Sequence, residues 1–311
     1  MHVNTSGITP FWHRASVALL SELSRRRCAQ RMSNTSESVP SARASSPFYV
    51  ALADALRRRE SEIDQLCPPD NHVARRVLHD YGAIFLGCPE ILPPPVCVFT
   101  SESAVSEFHH AAGYETATIG DAVIELQPAA MAALLKARAA AHAEGLEISP
   151  RDGAEAARRD YADTVRLWNS RFLPALDYWQ KLGRLTPEQT QLLRNLPIAE
   201  QVQEVLELEK DGIFFSKDFS KSVLYSIAAP GTSQHIAMLA FDANEFLEPR
   251  VREILAHHGW FQTVLSDLPH FTFLGLREEE LPARGLKSIE VNGQTFWIPN
   301  VDLEPTLASD T

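Results

Sequence analysis

The sequence predicts an α+β fold: a small antiparallel sheet flanked by helices, with a helical insertion. Three patterns carry this reading. Helical periodicity runs almost without a break from Ala154 to about Lys210. Short alternating segments bounded by turn residues crowd the last third of the chain. Among them, Asn292-Gly293 stands between two alternating runs, a strong hairpin signal because both turn residues tolerate positive φ.

In chain order, Phe48 to Leu66 has a helical pattern with a charged outer face, and His72 to Tyr81 reads as a second helix. Gly82 to Gly87, Val96 to Phe99 and Ala122 to Leu126 read as short strands. Pro128 opens a helix over Ala129 to Glu144, and Gly145 closes it, the expected punctuation at the two ends. Leu146 to Ile148 is a short strand leading into Ser149-Pro150-Arg151-Asp152-Gly153. Within the helical block, Thr186-Pro187-Glu188-Gln189 has the form of a reciprocal N-terminal cap. Pro249 to His258 reads as a helix stopped by Gly259, with His257 and His258 where the dipole favours them. Trp260 to Leu265, Phe271 to Leu274 and Ser288 to Ile298 complete the strands.

The domain division follows. Residues 1–46, rich in Ser, Thr, Asn and Pro, read as a disordered leader. Residues 47–311 read as one domain with the helical insertion at about 154–210. The leader makes a poor export signal, because its basic residues Arg25-Arg26-Arg27 follow the apolar run instead of preceding it. No apolar run is long enough to span a membrane as a helix. The net charge of −11 argues against a nucleic-acid partner, and no basic face appears outside the leader. The four cysteines, Cys28, Cys67, Cys88 and Cys97, lack the paired spacing of a thiolate zinc site. Cys88 and Cys97 flank Pro93-Pro94-Pro95; the sequence leaves open a disulfide between them or buried free thiols. Oligomeric state is not legible.

The chemistry concentrates in two clusters. The first is Pro230-Gly231-Thr232-Ser233-Gln234-His235, running on to Ala240-Phe241-Asp242; the second is Asp267-Leu268-Pro269-His270-Phe271. Two histidines and one carboxylate, His235, Asp242 and His270, suit one divalent metal with a position left open for water. On a continuous strand, His235 and Asp242 would face opposite sides, so a turn or bulge between them is required. Pro269 disfavours helix around Asp267, so that carboxylate is expected on a loop entering a strand.

These residues resemble the zinc D-alanyl-D-alanine peptidase family, which cuts bacterial cell-wall peptides. The family pattern is Ser-x-His-x-x-Gly-x-Ala-x-Asp, followed later by an acidic residue, two positions and His. Ser233, His235, Ala240 and Asp242 match, as does the preceding Pro-Gly; Met238 stands where the family has Gly. Asp267-x-Pro-His-Phe looks most like the branch that cleaves the L-alanyl-D-glutamate bond. The resemblance is carried by residues 227–274, loosely by 127–151, and by nothing before that. It implies zinc held by His235, Asp242 and His270, with Asp267 as general base. It implies Arg151 as oxyanion stabiliser or substrate-carboxylate anchor, and Ser233 near the ligand. The implied partner is a peptidoglycan-derived peptide, and the implied location is outside the cytoplasm. The alternative is a non-catalytic zinc-binding module of the same fold, as in the hedgehog signalling domain.

Overall fold

The computed structural model describes residues 46–302. The expected leader and Cys28 lie outside the described residues. Nine helices are present among the described residues: α1 (Pro47–Arg57), α2 (Ile63–Leu66), α3 (His72–Tyr81), α4 (Glu102–Ala112), α5 (Pro128–Ala143), α6 (Tyr161–Lys181), α7 (Pro187–Asn195), α8 (Ile198–Lys210) and α9 (Pro249–His257). The strands are β1 (Glu115–Ile119), β2 (Ala122–Leu126), β3 (Ala240–Asp242), β4 (Trp260–Phe261), β5 (His270–Phe273), β6 (Leu286–Val291) and β7 (Gln294–Pro299). They form three antiparallel units: the hairpin β1-β2, a three-stranded sheet in the order β3-β5-β4, and the hairpin β6-β7. The fold is α+β. No helix among the described residues is long and apolar enough to cross a membrane.

Several expected elements take another form. The single helical run from Phe48 to Leu66 is two helices, broken where Glu60 adopts φ 55°. Gly82 to Leu86 is a 3₁₀ helix, not a strand. It is buried throughout, and a short apolar run of that kind has no period to separate strand from helix. Val96 to Phe99 forms no ladder. Its contacts are single backbone bonds, from Cys97 N–H to the Leu66 carbonyl (2.8 Å) and from Phe99 N–H to the Gly231 carbonyl (2.9 Å). Leu146 to Ile148 likewise joins no sheet; the chain pairs only at an isolated bridge between Pro150 and Ala243. Of Trp260 to Leu265, only the first two residues are strand. Helix α4, capped by Ser101 and followed by Gly113, and strand β1 are not among the expected elements. Cys67, Cys88 and Cys97 are free and buried; the thiol of Cys97 interacts with Cys67, while Cys88 packs against Gly275.

Other local rules hold. Thr186 and Gln189 exchange the reciprocal bonds of a capping box at the start of α7. Asn292 (φ 52°) and Gly293 (φ 73°) turn the β6-β7 hairpin. Helix α5 begins at Pro128, and Gly145 follows its end with φ 75°. The main core gathers Phe48, Leu52, Ile124, Leu134, Phe241, Trp260 and Phe271 from helices and sheet alike. Helices α6 to α8 build a second cluster around Trp168, Phe172, Leu176 and Phe215. Trp168 anchors it further by donating its indole N–H to Gln201 of α8 (2.8 Å).

One close approach connects this framework to the site. Gly231, at φ 76°, lies so near the 96–99 segment that an added Cβ would stand 1.9 Å from the Phe99 carbonyl oxygen. A side chain there would meet both the left-handed backbone penalty and that clash. Gly231→Ala is therefore expected to cost on the order of 3 kcal/mol, a fall of roughly 6–12 °C in thermal midpoint by calorimetry. An unchanged midpoint would show that the turn is free to move away from Phe99.

Candidate metal centre

The site is built from a turn, a strand pair and a loop. Gln234 to Ala237 form a 3₁₀ turn, and the Ser233 hydroxyl at its start accepts the His235 N–H (3.4 Å). Met238 ends the turn in the left-handed region (φ 54°, ψ 33°), and the chain then enters β3. That reversal is the break that lets His235 and Asp242 meet. A non-glycine residue holds this conformation at a cost of about 1 kcal/mol, and the fully buried Met238 side chain offsets it by packing. Ile236, in the same turn, is fixed by the buried His109, whose Nε2 lies 2.8 Å from the Ile236 carbonyl.

Strand register does the rest. Asp242 of β3 stands directly opposite His270 of β5. Opposed residues share a sheet face, so Asp242, His270, Ala240 and Thr272 turn one way. Phe241 and Phe271, also opposed, alternate to the other face and are buried in the core with Trp260.

Three donor atoms converge. His235 Nε2 lies 3.1 Å from His270 Nδ1 and 3.3 Å from Asp242 Oδ1, and His270 Nδ1 lies 3.1 Å from Asp242 Oδ1. The far side of each ring decides which nitrogen holds its proton. His235 Nδ1 is 2.8 Å from the Ala157 carbonyl, which can only accept, so Nδ1 carries the hydrogen and Nε2 a lone pair. Gln234 donates its amide nitrogen to the Tyr81 carbonyl (2.9 Å), which turns its Oε1 toward His270 Nε2 (2.8 Å) and the Thr272 hydroxyl (2.5 Å). His270 Nε2 therefore carries the hydrogen and Nδ1 a lone pair. Two lone pairs and a carboxylate oxygen thus face one another with no hydrogen between them. Such a group could hold a metal ion. The face of a tetrahedron with bonds of about 2.0–2.1 Å has edges of about 3.3 Å, close to the three separations seen. Orientation of each ligating imidazole by a partner on its other nitrogen is the usual arrangement around a bound metal.

The electrostatics agree. His235 is pushed down to about 4, first by burial and then by the Arg159 charge, so it is neutral at pH 7. Burial opposes ionisation of Asp242, yet its carboxyl is held well below the usual range by positive charge and donated hydrogen bonds on the histidine side, the place a bound cation would fill. Arg159, only 16% exposed, sets its Nη2 3.1 Å from Asp242 Oδ2, leaving Oδ1 to the histidines. These three side chains are the group among the described residues that can hold a metal ion.

An open cleft enclosing about 590 Å³ lies over the cluster. His235, His270, Ser233, Arg159 and Asp267 all line it. Asp267 keeps solvent contact at the mouth, on the loop that leads into β5. Its pKa is nonetheless raised, by the protein packed around the carboxyl and by Asp242, against the opposing pull of His270, Arg159 and Arg151. Arg151 is outside the cleft lining. Its backbone N–H binds the Asp242 carbonyl (2.8 Å), while its guanidinium sits 5.6 Å from the Phe246 ring centre. Gln234, Arg159 and the Ala157 carbonyl were not foreseen; Gln234 alone had a signal, as the residue inside Ser-x-His.

Comparison with protein-family models, curated proteins and solved structures finds no match to this chain.

Proposed function

We propose that this chain is a zinc-dependent peptidase acting on peptidoglycan stem peptides, of the D-Ala-D-Ala carboxypeptidase or L-Ala-D-Glu endopeptidase type, outside the cytoplasm. The observation that carries the reading is the His235, Asp242 and His270 triangle, with its lone pairs convergent and a second carboxylate, Asp267, in the cleft above it. A purely structural metal would be closed by a fourth protein ligand, and among the described residues no fourth joins the cluster. Zinc held there would supply Lewis acidity. Asp267 would take the proton of the water that adds to the scissile carbonyl carbon. It then delivers the proton to the leaving nitrogen as the C–N bond breaks, so that one acid and one amine leave. Arg159 keeps Asp242 oriented, Ser233 holds the turn that carries His235, and Arg151, outside the cleft lining but close enough for its charge to act on Asp267, is assigned the outer end of the substrate as a carboxylate anchor.

Mass spectrometry of defined muropeptides, after incubation with the zinc-loaded protein, tests this. Release of terminal alanine or scission between L-Ala and D-Glu is the expected result, and the fragment identifies the bond. Stoichiometric zinc with no change in any peptide would sink the peptidase reading in favour of a non-catalytic module.

A further inference from the structure

The geometry points to a substrate-docking wall formed where the chain returns from the helical block, Val223 to Ala228, with Tyr225 as the side chain that selects the ligand. This inference rests on the metallopeptidase reading and extends it to how an extended peptide is gripped.

The turn at Val223–Tyr225 is held from three sides. The Glu209 carboxylate of α8, only 9% exposed, accepts the Val223 N–H at 2.6 Å and the Phe215 N–H at 3.4 Å. The Tyr81 hydroxyl donates to the Leu224 carbonyl (3.4 Å). Arg171 of α6 donates its Nε–H to the Ser226 hydroxyl (2.8 Å). Burying a carboxylate is costly unless it is hydrogen-bonded, and here it is committed to fixing one short turn. Yet the tip of that turn, Tyr225, is 58% exposed and lines the metal cleft beside Leu224 and Ser226. A rigid support under an exposed aromatic is the form of a preorganised contact.

The backbone that follows gives the ligand its chemistry. Ile227 and Ala228 line the same cleft. The Ile227 carbonyl and both backbone groups of Ala228 make no hydrogen bond among the described residues. The unpaired N–H and carbonyl of a single residue, Ala228, are the pair of groups an extended peptide bonds when it lies alongside a chain, with one of its side chains over the Tyr225 ring. Asp267, Ser266 and Val264 line the cleft as well, so a peptide held on the wall passes over the histidines.

The test uses the zinc-loaded full chain and a synthetic stem pentapeptide ending in D-Ala-D-Ala. Steady-state kinetics are read for the wild type, and equilibrium binding of the same peptide is read in an Asp267→Asn background. Tyr225→Ala is expected to raise KM and the peptide Kd about tenfold with kcat within twofold, and Tyr225→Phe to match wild type. Zinc content and thermal midpoint should not move in either variant, which separates docking from a structural role. If Tyr225→Ala leaves KM and Kd within twofold of wild type while hydrolysis persists, the wall is overturned and the peptidase reading stands. If the zinc-loaded wild type neither cleaves the pentapeptide nor, as Asp267→Asn, binds it, both fall together.

Discussion

His235→Ala and His270→Ala are each expected to lose tight zinc binding, with affinity reduced more than about 100-fold. Replacing a group that only orients a ligating imidazole typically costs about 10–100-fold, and removing the ligand itself must cost more. The loss is not made good by water, because the remaining donors are held by the 3₁₀ turn at His235 and by the register of β3 against β5, and cannot close around the gap. Gln234→Leu is the graded companion. It leaves all three donors in place but removes the acceptor at His270 Nε2, so it should fall in the 10–100-fold range. Competition against a chromophoric chelator measures all three, and thermal melts confirm that each variant is folded. Wild-type zinc affinity in both histidine variants would remove the metal centre from consideration.

The contrast between His235 and Gln234 shows what was legible and what was not. Residue type and spacing pointed to His235, Asp242 and His270, which do converge, because metal chemistry restricts which side chains serve. How they converge was hidden. It depends on Met238 taking a left-handed conformation, which its side chain disfavours and only tertiary packing sustains. The Ala157 carbonyl could not be found at all, since a backbone acceptor has no signature in sequence. Arg159 sits near Arg151 in the chain, and nothing in composition says which of the two turns inward; the fold does, through Asp152 (φ 66°) and Gly153 (φ 69°) between them. Elements followed the same rule. Helices α3 and α5 were readable to within a residue or two, and of α7 only its start, at the Thr186 cap, within a block that reads as one helical run. The apolar run Gly82 to Leu86 misled, because burial on every side erases the period that separates strand from helix.

Asp267→Asn is expected to retain zinc and to lose about 10²- to 10⁴-fold in kcat/KM. The amide is nearly isosteric with the carboxylate, and Asp267 is not one of the three convergent donors, so metal content should stay at one ion per chain. What disappears is a group able to take a proton near neutral pH. The pH profile makes the assignment specific. The protein atoms packed around the carboxyl raise the Asp267 pKa although the residue keeps solvent contact, while the positive charge of a bound zinc would draw it down, and their balance sets the acidic limb. Below that pKa the carboxyl is protonated and cannot act as base. Activity therefore rises with pH through the limb, and that limb should vanish in Asp267→Asn, whose residual rate should be flat until the histidine ligands protonate and zinc leaves. A merely structural Asp267 would give the opposite pattern, a lower rate with an unchanged limb. Asp267→Glu adds one methylene and keeps the proton acceptor, so it should recover the limb with a reduced rate. Wild-type turnover by Asp267→Asn would assign the base elsewhere, and the role proposed for this carboxylate would fall with it.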